Sequence, residues 1–272
     1  MSRYGSPVVL LRDRLKTPVA GVRRRVRRQL VTMRGNAIYR RNRREFQQLR
    51  GGTASEVEFP FGRAWPCIHD RADAGGVARG QYFHQDLLVA QWIFDAKPER
   101  HVDVGSRIDG FVAHVASFRS IEVLDLRPVR TSASNIQFHQ RDIMAPDPAW
   151  DECCDSLSCL HTIEHFGLGR YGDPLDPDGW RTGWENLVRM VRPGGTVYLS
   201  TMIGPQRIEF DAHRIFAVPT VVELVEATCS IESVAYVNDA GELHLDADPH
   251  GEAALASFGC RSGCVIMQLR RC

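Results

Sequence analysis

Three acidic residues stand at the ends of short apolar runs, and their spacing is the first sign of chemistry in the chain. Asp103 begins the segment Asp103-Val-Gly-Ser-Arg-Ile-Asp-Gly110. Asp125 follows it by about 20 residues, the offset at which an acid binds the hydroxyls of a ribose in dinucleotide-binding folds. Asp142 ends a third apolar run, where a carboxylate can accept a hydrogen bond from an adenine amino group.

The glycines after Asp103 resemble a nucleotide-binding turn with one change. Gly105 and Gly110 occupy the outer positions of the pattern G-x-G-x-x-G, but Arg107 stands in the middle position. The middle glycine lets the backbone approach a pyrophosphate, so a side chain there disfavours NAD or FAD. Three strand-end acids without a Walker motif point to S-adenosylmethionine, which has a ribose and an adenine but no phosphate. The structural alternative is that these aspartates cap helices or loops.

These residues need a scaffold that brings strand ends together, and the rest of the pattern predicts one. Short apolar runs predict strands, and stretches with helical periodicity predict helices. The predicted strands are 101–105, 121–126, 136–140, 156–160, 196–203, 231–237 and 264–269, and the predicted helices are 83–94, 110–118, 180–191 and 218–229. Their alternation predicts an α/β fold with a doubly wound, mainly parallel seven-stranded sheet. Ligands of such sheets bind at the carboxyl ends of the strands.

Several segments resemble the class I S-adenosylmethionine-dependent methyltransferases. They are Asp103-Val-Gly-Ser, Val123-Leu-Asp, Arg141-Asp-Ile, Leu160-His-Thr-Ile-Glu-His165 and Arg192-Pro-Gly-Gly-Thr-Val-Tyr-Leu199. The string 156–173, together with Phe210-Asp-Ala-His-Arg214, is similar to a narrower and poorly characterised branch, a domain of unknown function linked to polysaccharide assembly. The resemblance covers about residues 80–215 well, and the remaining tail by its strand pattern.

The resemblance implies a Rossmann-like fold and methyl transfer from bound S-adenosylmethionine. The residues that it places against this cofactor are Asp103, Gly105, Ser106, Asp125, Leu126, Asp142, Ile143 and His161. The expected acceptor is a hydroxyl of a small molecule or a glycan precursor. The open alternative is a non-catalytic relative that keeps the fold as a binding or scaffolding module.

Histidines supply the expected base. A hydroxyl is a poor nucleophile until its proton begins to leave, and histidine is available as a base at neutral pH. His213 is the first candidate, with Asp211 to orient it and Arg214 to hold an anionic acceptor. His165 with Glu164 is the second candidate.

The segment 167–179 is expected to form a rim or lid of the site. It is too rich in glycine and proline for a regular element and too apolar for a freely solvated loop. Arg170 and Tyr171 in this segment are expected to contact the acceptor. Its three aspartates have oxygen ligands for a hard cation, but Asp-Pro turns explain them equally well.

A second metal pattern lies just before that segment. The run His161-Thr-Ile-Glu-His165 matches the inverted zincin signature H-x-x-E-H, which needs a helix to place both histidines on one face. Gly167 and Gly169 follow at once, and glycine disfavours a helix. The sequence therefore predicts no metal site.

Charge is distributed unevenly along the 272 residues, whose formal net charge is +1. Residues 1–50 contain 15 Lys and Arg residues but only two acids. Apolar residues from Leu11 to Ala37 recur at steps of three or four, which predicts a basic amphipathic helix that begins near Pro18 and ends at Gly35 or at Gly51. The open interpretations are a helix docked on this or another subunit, an anionic membrane surface, a nucleic-acid contact and a transit peptide.

The composition, 43% hydrophobic and 25% charged, is that of a soluble globular protein. No stretch has the roughly 18 apolar residues of a membrane span, and no secretory signal is evident. The eight cysteines never form a C-x-x-C pair and are interpreted as reduced thiols. We therefore predict a cytoplasmic protein, placed at the inner face of the membrane by its basic arm, without a nucleic-acid partner and with self-association left open. The predicted division is a helical arm over 1–50, a linker or lid over 51–80 and a methyltransferase-like domain over 81–272.

Overall fold

A computed structural model describes residues 18–53 and 58–272. The chain divides into two compact units, with the boundary between Val77 and Ala78. In the first unit, helix α1 spans Pro18–Arg50 and passes through Gly35 without a break. The start of the predicted apolar stripe, at Leu11 and Leu15, lies outside the described residues.

The second unit alternates strands and helices. Its helices are α2 (Gln81–Ala96), α3 (Ala113–Ala116, after a π-helical turn at Ile108–Val112), α4 (Gly179–Met190), α5 (Val218–Glu226) and α6 (Glu252–Leu255). Its strands are β1 (His101–Val104), β2 (Ile121–Asp125), β3 (Ile136–Gln140), β4 (Cys154–Leu160), β5 (Val191–Ile203), β6 (Arg207–Glu209), β7 (His213–Ile215), β8 (Cys229–Val237), β9 (Leu243–His244) and β10 (Gly263–Arg271). Every predicted strand and helix of this unit is present, with ends that differ by a few residues.

The main sheet has the order β3-β2-β1-β4-β5-β10-β8-β9. The strands from β3 to β5 are parallel, whereas β10 runs antiparallel to both β5 and β8. The predicted doubly wound, mainly parallel α/β fold is confirmed. Two short features were not predicted: the two-residue edge strand β9, and an antiparallel hairpin of β6 with β7 that forms a second sheet. Both are too short to show a period-two pattern.

The centre of the sheet is buried on both faces, and this fixes the strand ends that carry the site. On one face, Trp184 and Leu187 of α4 pack against Val197 and Leu199 of β5. On the other face, side chains of α2 and of the π turn join an apolar cluster with β2 and β10. All four residues of β1 are buried, including the polar His101 and Asp103.

No helix among the described residues is long and apolar enough to cross a bilayer. The eight cysteines are all unpaired.

Candidate functional site

Two adjoining pockets open at the carboxyl ends of β1, β2 and β4. The inner pocket encloses about 600 Å³ and the outer pocket about 1560 Å³, open mouths included. The residues that line both are Gly105, Asp125, Arg127, His161, His165 and Tyr171. Because these residues come from the turns after three strands and from the 167–179 segment, the sheet brings together most of what the sequence predicts to be functional.

The turn after β1 depends on a glycine and on a buried acid. Gly105 has φ +78°, and a Cβ there would lie 2.4 Å from Cγ2 of Thr162, so only glycine fits. Asp103 lies beneath the turn, where it accepts hydrogen bonds from the hydroxyls of Ser158 at 2.6 Å and Ser106 at 2.7 Å. Burial raises the pKa of Asp103 to about 7. Asp103 lines neither pocket and shapes the turn, whereas Gly105 and Ser106 line the pockets themselves.

The acid at the end of β2 faces both pockets but already has a partner. Asp125 accepts hydrogen bonds from Nε and Nη2 of Arg127 at 3.0 and 2.6 Å, and from the backbone N–H of Arg127 at 2.8 Å. The guanidinium carbon of Arg127 also lies 4.4 Å from the ring centroid of Tyr171. Leu126, between the two charged residues, lines the inner pocket. A ligand that uses both oxygens of Asp125 must therefore displace the Arg127 side chain.

The turn after β3 lines the far end of the inner pocket. Asp142 accepts a hydrogen bond from the backbone N–H of Met144 at 3.0 Å, and this closes the turn. Asn186 of α4 donates to the carbonyl of Ile143 at 2.9 Å and holds the turn against the helix. Asp142 and Ile143, both predicted cofactor contacts, lie in the pocket wall.

The turn after β4 carries a buried charged pair. Nδ1 of His161 lies 2.8 Å from Oε1 of Glu164, and Glu164 also accepts a hydrogen bond from Thr201 at 3.1 Å. Burial opposes the charge on each partner, but the contacts of His161 with Cys264 and Glu164 raise the pKa of the imidazole above its usual value. The contact with His161 in turn lowers the pKa of the buried Glu164. We therefore describe the pair as imidazolium and carboxylate.

Of the two predicted bases, His165 lies at the pockets and His213 does not. His165 lines both pockets, and its Nδ1 donates to the carbonyl of Ala212 at 2.8 Å, which leaves the lone pair on Nε2. Burial lowers the pKa of His165, so the ring is neutral at pH 7. His213 lines neither pocket, and its Nε2 lies 3.4 Å from the carboxylate of Glu209 without hydrogen-bond geometry. Asp211 is exposed at the hairpin turn, with φ +67°, and makes no hydrogen bond to His213.

Arg214, the predicted acceptor contact, lies away from both pockets. Arg214 is 5% exposed and lines neither pocket. Its guanidinium donates to the backbone carbonyls of Phe166 and Pro177, and more distantly to that of Asp176. A guanidinium whose donors are engaged by three carbonyls is a structural clamp. Arg214 therefore closes the base of the 167–179 segment.

Within that segment, one aspartate organises the backbone and two side chains face the outer pocket. Asp173 accepts hydrogen bonds from the backbone N–H groups of Gly167, Gly169 and Tyr171. Arg170 donates to the carbonyl of Ala212 at 2.7 Å and lines the outer pocket, while Tyr171 lines both pockets. In the part of the chain that the structure describes, no three His, Cys, Asp or Glu side chains are grouped to hold a metal ion.

Helix α2 contributes residues that the sequence interpretation missed. Tyr82, Gln85 and Asp86 line the outer pocket. The amide of Gln85 donates to Asp86 at 2.9 Å, and Gln85 accepts a short hydrogen bond from Ser200 of β5. Gln85 and Asp86 lie on the same buried face of α2 as Val89 and Ile93. Polar side chains on a buried helix face need hydrogen-bond partners, and this pattern could have indicated their position at the site.

Comparisons with known proteins agree with this fold. Residues 129–244 match the family described as "Caenorhabditis protein of unknown function, DUF268". No curated protein matches the chain. The cyclase SpnF, described as a [4+2]-cyclase, is 15% identical over 72% of this chain and 85% of its own, with a TM-score of 0.50.

Two further solved structures are named as methyltransferases. The N-methyltransferase NodS of Bradyrhizobium japonicum WM9, bound to S-adenosylhomocysteine, is 14% identical over 80% of this chain and 97% of its own, with a TM-score of 0.48. The 1,6-didemethyltoxoflavin-N1-methyltransferase of Burkholderia thailandensis is 16% identical over 68% and 78%, with a TM-score of 0.48. The chain has a Rossmann-like fold, with a mainly parallel sheet covered by helices. The names of its structural neighbours cover more than one reaction, and a shared fold does not decide the reaction.

Proposed function

We propose that the chain is an S-adenosylmethionine-dependent methyltransferase that acts on a hydroxyl of a small molecule or a glycan precursor. One observation carries the proposal: a left-handed glycine turn, two strand-end carboxylates and a neutral histidine meet at the same pair of pockets. The glycine is Gly105, the carboxylates are Asp125 and Asp142, and the histidine is His165.

The residues present fit this cofactor. The inner pocket combines a mostly apolar wall with a few carboxylates, which is the usual composition of small-molecule sites. Asp125 is the acceptor for ribose hydroxyls and Asp142 for an adenine amino group, with Leu126 and Ile143 as apolar contacts. Arg127 must release part of Asp125, which costs little because its side chain is 45% exposed. When bound, the cofactor supplies a methyl group on a positively charged sulfur.

His165 is the proposed general base. Its Nδ1–H is held by the carbonyl of Ala212, so the ring orientation and tautomer are fixed before any ligand binds. Its Nε2 makes no hydrogen bond among the described residues and is free to accept the hydroxyl proton of an acceptor. A base of this kind contributes about 10²–10⁴-fold, and the rest of the rate comes from holding the acceptor in line.

The acceptor belongs in the outer pocket. Tyr171 lines this pocket, with the guanidinium of Arg127 at 4.4 Å and that of Arg170 at 5.1 Å from its ring. Arginine at this rim suits an acceptor that carries a carboxylate or a phosphate. We include nucleotide sugars and lipid-linked sugars among the candidates.

The basic helix is proposed to attach the protein to an anionic membrane surface. Leu30 and Met33 of α1 are 52% and 68% exposed, on a helix that carries many arginines and no acid in its first turn. Liposome flotation should depend on anionic lipid and weaken with added salt, because such attraction is screened over about 8 Å at physiological ionic strength. Flotation that is equal on neutral liposomes would contradict the proposal.

A screen with methyl-labelled cofactor tests the reaction. The full-length protein is incubated with nucleotide sugars, lipid-linked sugars and small organic acids, and label in an ether-linked product is measured. We expect transfer to at least one hydroxyl acceptor. A folded protein that binds the cofactor but labels no acceptor would favour the binding or scaffolding alternative.

A further inference from the structure

Two arginines of the outer pocket, Arg127 and Arg170, differ in what they already bind. Arg127 is paired with the carboxylate of Asp125 at 2.6 Å. Arg170 is paired with no carboxylate in the described part of the chain, and it donates from Nη1 to the backbone carbonyl of Ala212 at 2.7 Å. Most of the N–H groups of Arg170 are therefore available to a ligand.

Both guanidinium groups lie against one aromatic ring, which also contacts the proposed base. The ring centroid of Tyr171 is 4.4 Å from the guanidinium carbon of Arg127 and 5.1 Å from that of Arg170. The ring of His165 meets this ring edge-on, with the centroids 5.4 Å apart. Arg170 and His165 also donate to the same carbonyl oxygen, that of Ala212. The two arginines are thus held close to each other and to the base.

The chemistry of two neighbouring guanidinium groups favours one kind of anion. Arginine binds carboxylates and phosphates through two parallel N–H groups. A carboxylate has one negative charge and is satisfied by one guanidinium. A phosphate group carries about 1.5 to 2 negative charges at neutral pH and has three acceptor oxygens, so it can bind both guanidinium groups at once.

The ion pair with Asp125 keeps Arg127 from binding such a ligand. Nε and Nη2 of Arg127 both donate to this carboxylate, so the edge of the guanidinium that could bind a phosphate is occupied. A ligand that takes both oxygens of Asp125 releases these donors. The Arg127 side chain is 45% exposed, and an exposed pair of this kind exchanges at little cost in free energy.

We propose that Arg127 and Arg170 form a subsite for a phosphate group of the acceptor, and that the subsite is complete only when a ligand takes Asp125 from Arg127. The inference rests on the proposed function where that ligand is the ribose of S-adenosylmethionine. Cofactor and acceptor then strengthen the binding of each other equally. The phosphate and the reacting hydroxyl belong to the same small part of the acceptor, because Arg170 and His165 share the carbonyl of Ala212.

Inorganic phosphate is the probe for this subsite. Its affinity for the full-length protein is measured by phosphorus NMR at fixed ionic strength and about pH 8, where phosphate is mostly doubly charged. Titrations are run with and without saturating S-adenosylhomocysteine, which has no net charge and therefore adds no attraction of its own. We expect phosphate to bind at least about 3-fold more tightly when S-adenosylhomocysteine is bound. Arg127→Gln should remove this gain, and Arg170→Gln should weaken phosphate binding at least about 5-fold in both states.

The variant Asp125→Asn releases Arg127 without any cofactor. Alone, it should bind phosphate at least about 3-fold more tightly than the wild type does alone. The double variant Asp125→Asn/Arg127→Gln separates release of the arginine from simple loss of a negative charge, and a gain of the same size in the double variant would overturn the proposal.

The matched control is Arg181→Gln. Arg181 is 56% exposed, lies outside both pockets and is 3.9 Å from the carboxylate of Asp178. This variant removes one exposed positive charge, as Arg170→Gln does, and it should bind phosphate as the wild type does.

Glycerol 3-phosphate is the second probe and distinguishes an acceptor from a free ion. A phosphate monoester that binds with the same dependence on Arg127 and Arg170 supports a subsite for a phosphorylated acceptor. Binding of inorganic phosphate with exclusion of the monoester would show an adventitious ion only and would overturn the proposal.

The remaining outcomes separate this inference from the proposed function. If S-adenosylhomocysteine binds but leaves the phosphate affinity unchanged, or if Arg170→Gln has no larger effect than Arg181→Gln, the subsite is overturned while the proposed function stands. If S-adenosylhomocysteine does not bind to folded protein, the proposed function fails. The variant Asp125→Asn then decides the subsite, because a gain in phosphate affinity that depends on Arg127 supports it and the absence of that gain overturns it.

Discussion

The charged side chains on the two walls of the pockets differ in how deeply they are buried, and so in how freely they can move. In the wall formed by the turns after β2 and β3, Asp125 is paired with an arginine whose side chain is 45% exposed. In the wall formed by α2 and the turn after β4, the side chains of His161 and Glu164 are 4% and 1% exposed. An exposed ion pair contributes about 0–1 kcal/mol and exchanges easily, whereas breaking a buried pair costs several kcal/mol. The first wall can therefore adapt to a ligand, while the second is formed in advance.

The largest effect is expected at the preformed wall. His165→Gln should lower turnover by about 10²–10⁴-fold while the affinity for the cofactor stays near that of the wild type, because the side chain acts on the acceptor proton. The measurement is turnover of whichever acceptor the labelled screen identifies, alongside calorimetry with S-adenosylhomocysteine.

His213→Gln is the matched control for that prediction. His213 lies within 6.4 Å of His165, ring to ring, but outside both pockets. Its substitution should change turnover less than about threefold. Equal losses in the two variants would mean that the hairpin of β6 and β7, and not His165 alone, carries the base.

The buried residues Asp103 and His101 of β1 should make the free energy of unfolding depend on pH. Burial raises the pKa of Asp103 to about 7, so the folded state holds its proton more tightly than the unfolded state, and this stabilisation is lost as pH rises from about 4 to 7. Burial lowers the pKa of His101, on the same strand, to about 3, so its contribution rises with pH between about 3 and 6.5. The two trends oppose each other in the wild type.

The substitution Asp103→Asn removes the loss of stability that the Asp103 carboxyl causes as pH rises. The free energy of unfolding of the variant should rise with pH between about 4 and 6.5, and its pH dependence should differ from that of the wild type by about 2–4 kcal/mol over the window. Urea unfolding at pH 4, 5.5 and 7 measures this. Parallel curves for the two proteins would show that Asp103 is ionised in the fold at all three pH values.

The smallest effect is expected at the adaptable wall. Arg127→Ala should change the affinity for S-adenosylhomocysteine by less than about threefold, because an exposed pair contributes little and its loss frees Asp125. A loss of 10-fold or more would show that Arg127 itself binds the ligand and that this wall is as preorganised as the other.

The sequence predicts one wall much better than the other, for a physical reason. Asp125, Leu126, Asp142 and Ile143 follow strands whose periodicity is visible, so their common position follows from the parallel sheet. The position of Asp86 in the outer pocket depends on how α2 packs against β5 and Gly110. No local sequence pattern predicts this packing.

The positions of His213 and Arg214 outside the pockets have the same origin. Both residues belong to β7, a three-residue strand paired with the equally short β6. In a hairpin this short, the pairing register decides which side chains are buried, and no pattern in the sequence predicts that register. Arg214 is directed into the protein and His213 away from the pockets as a result.

The strand-end carboxylates Asp125 and Asp142 are proposed to bind the adenosine part of S-adenosylmethionine. Calorimetric titration of S-adenosylhomocysteine into the full-length protein, and into Asp125→Ala, tests this most directly. We expect saturable binding to the wild type and a loss of about 1–3 kcal/mol of binding free energy in the variant, since a buried hydrogen-bond pair to the ribose disappears. Folded wild-type protein that gives no binding heat, or an Asp125→Ala variant that binds as tightly as the wild type, would contradict it.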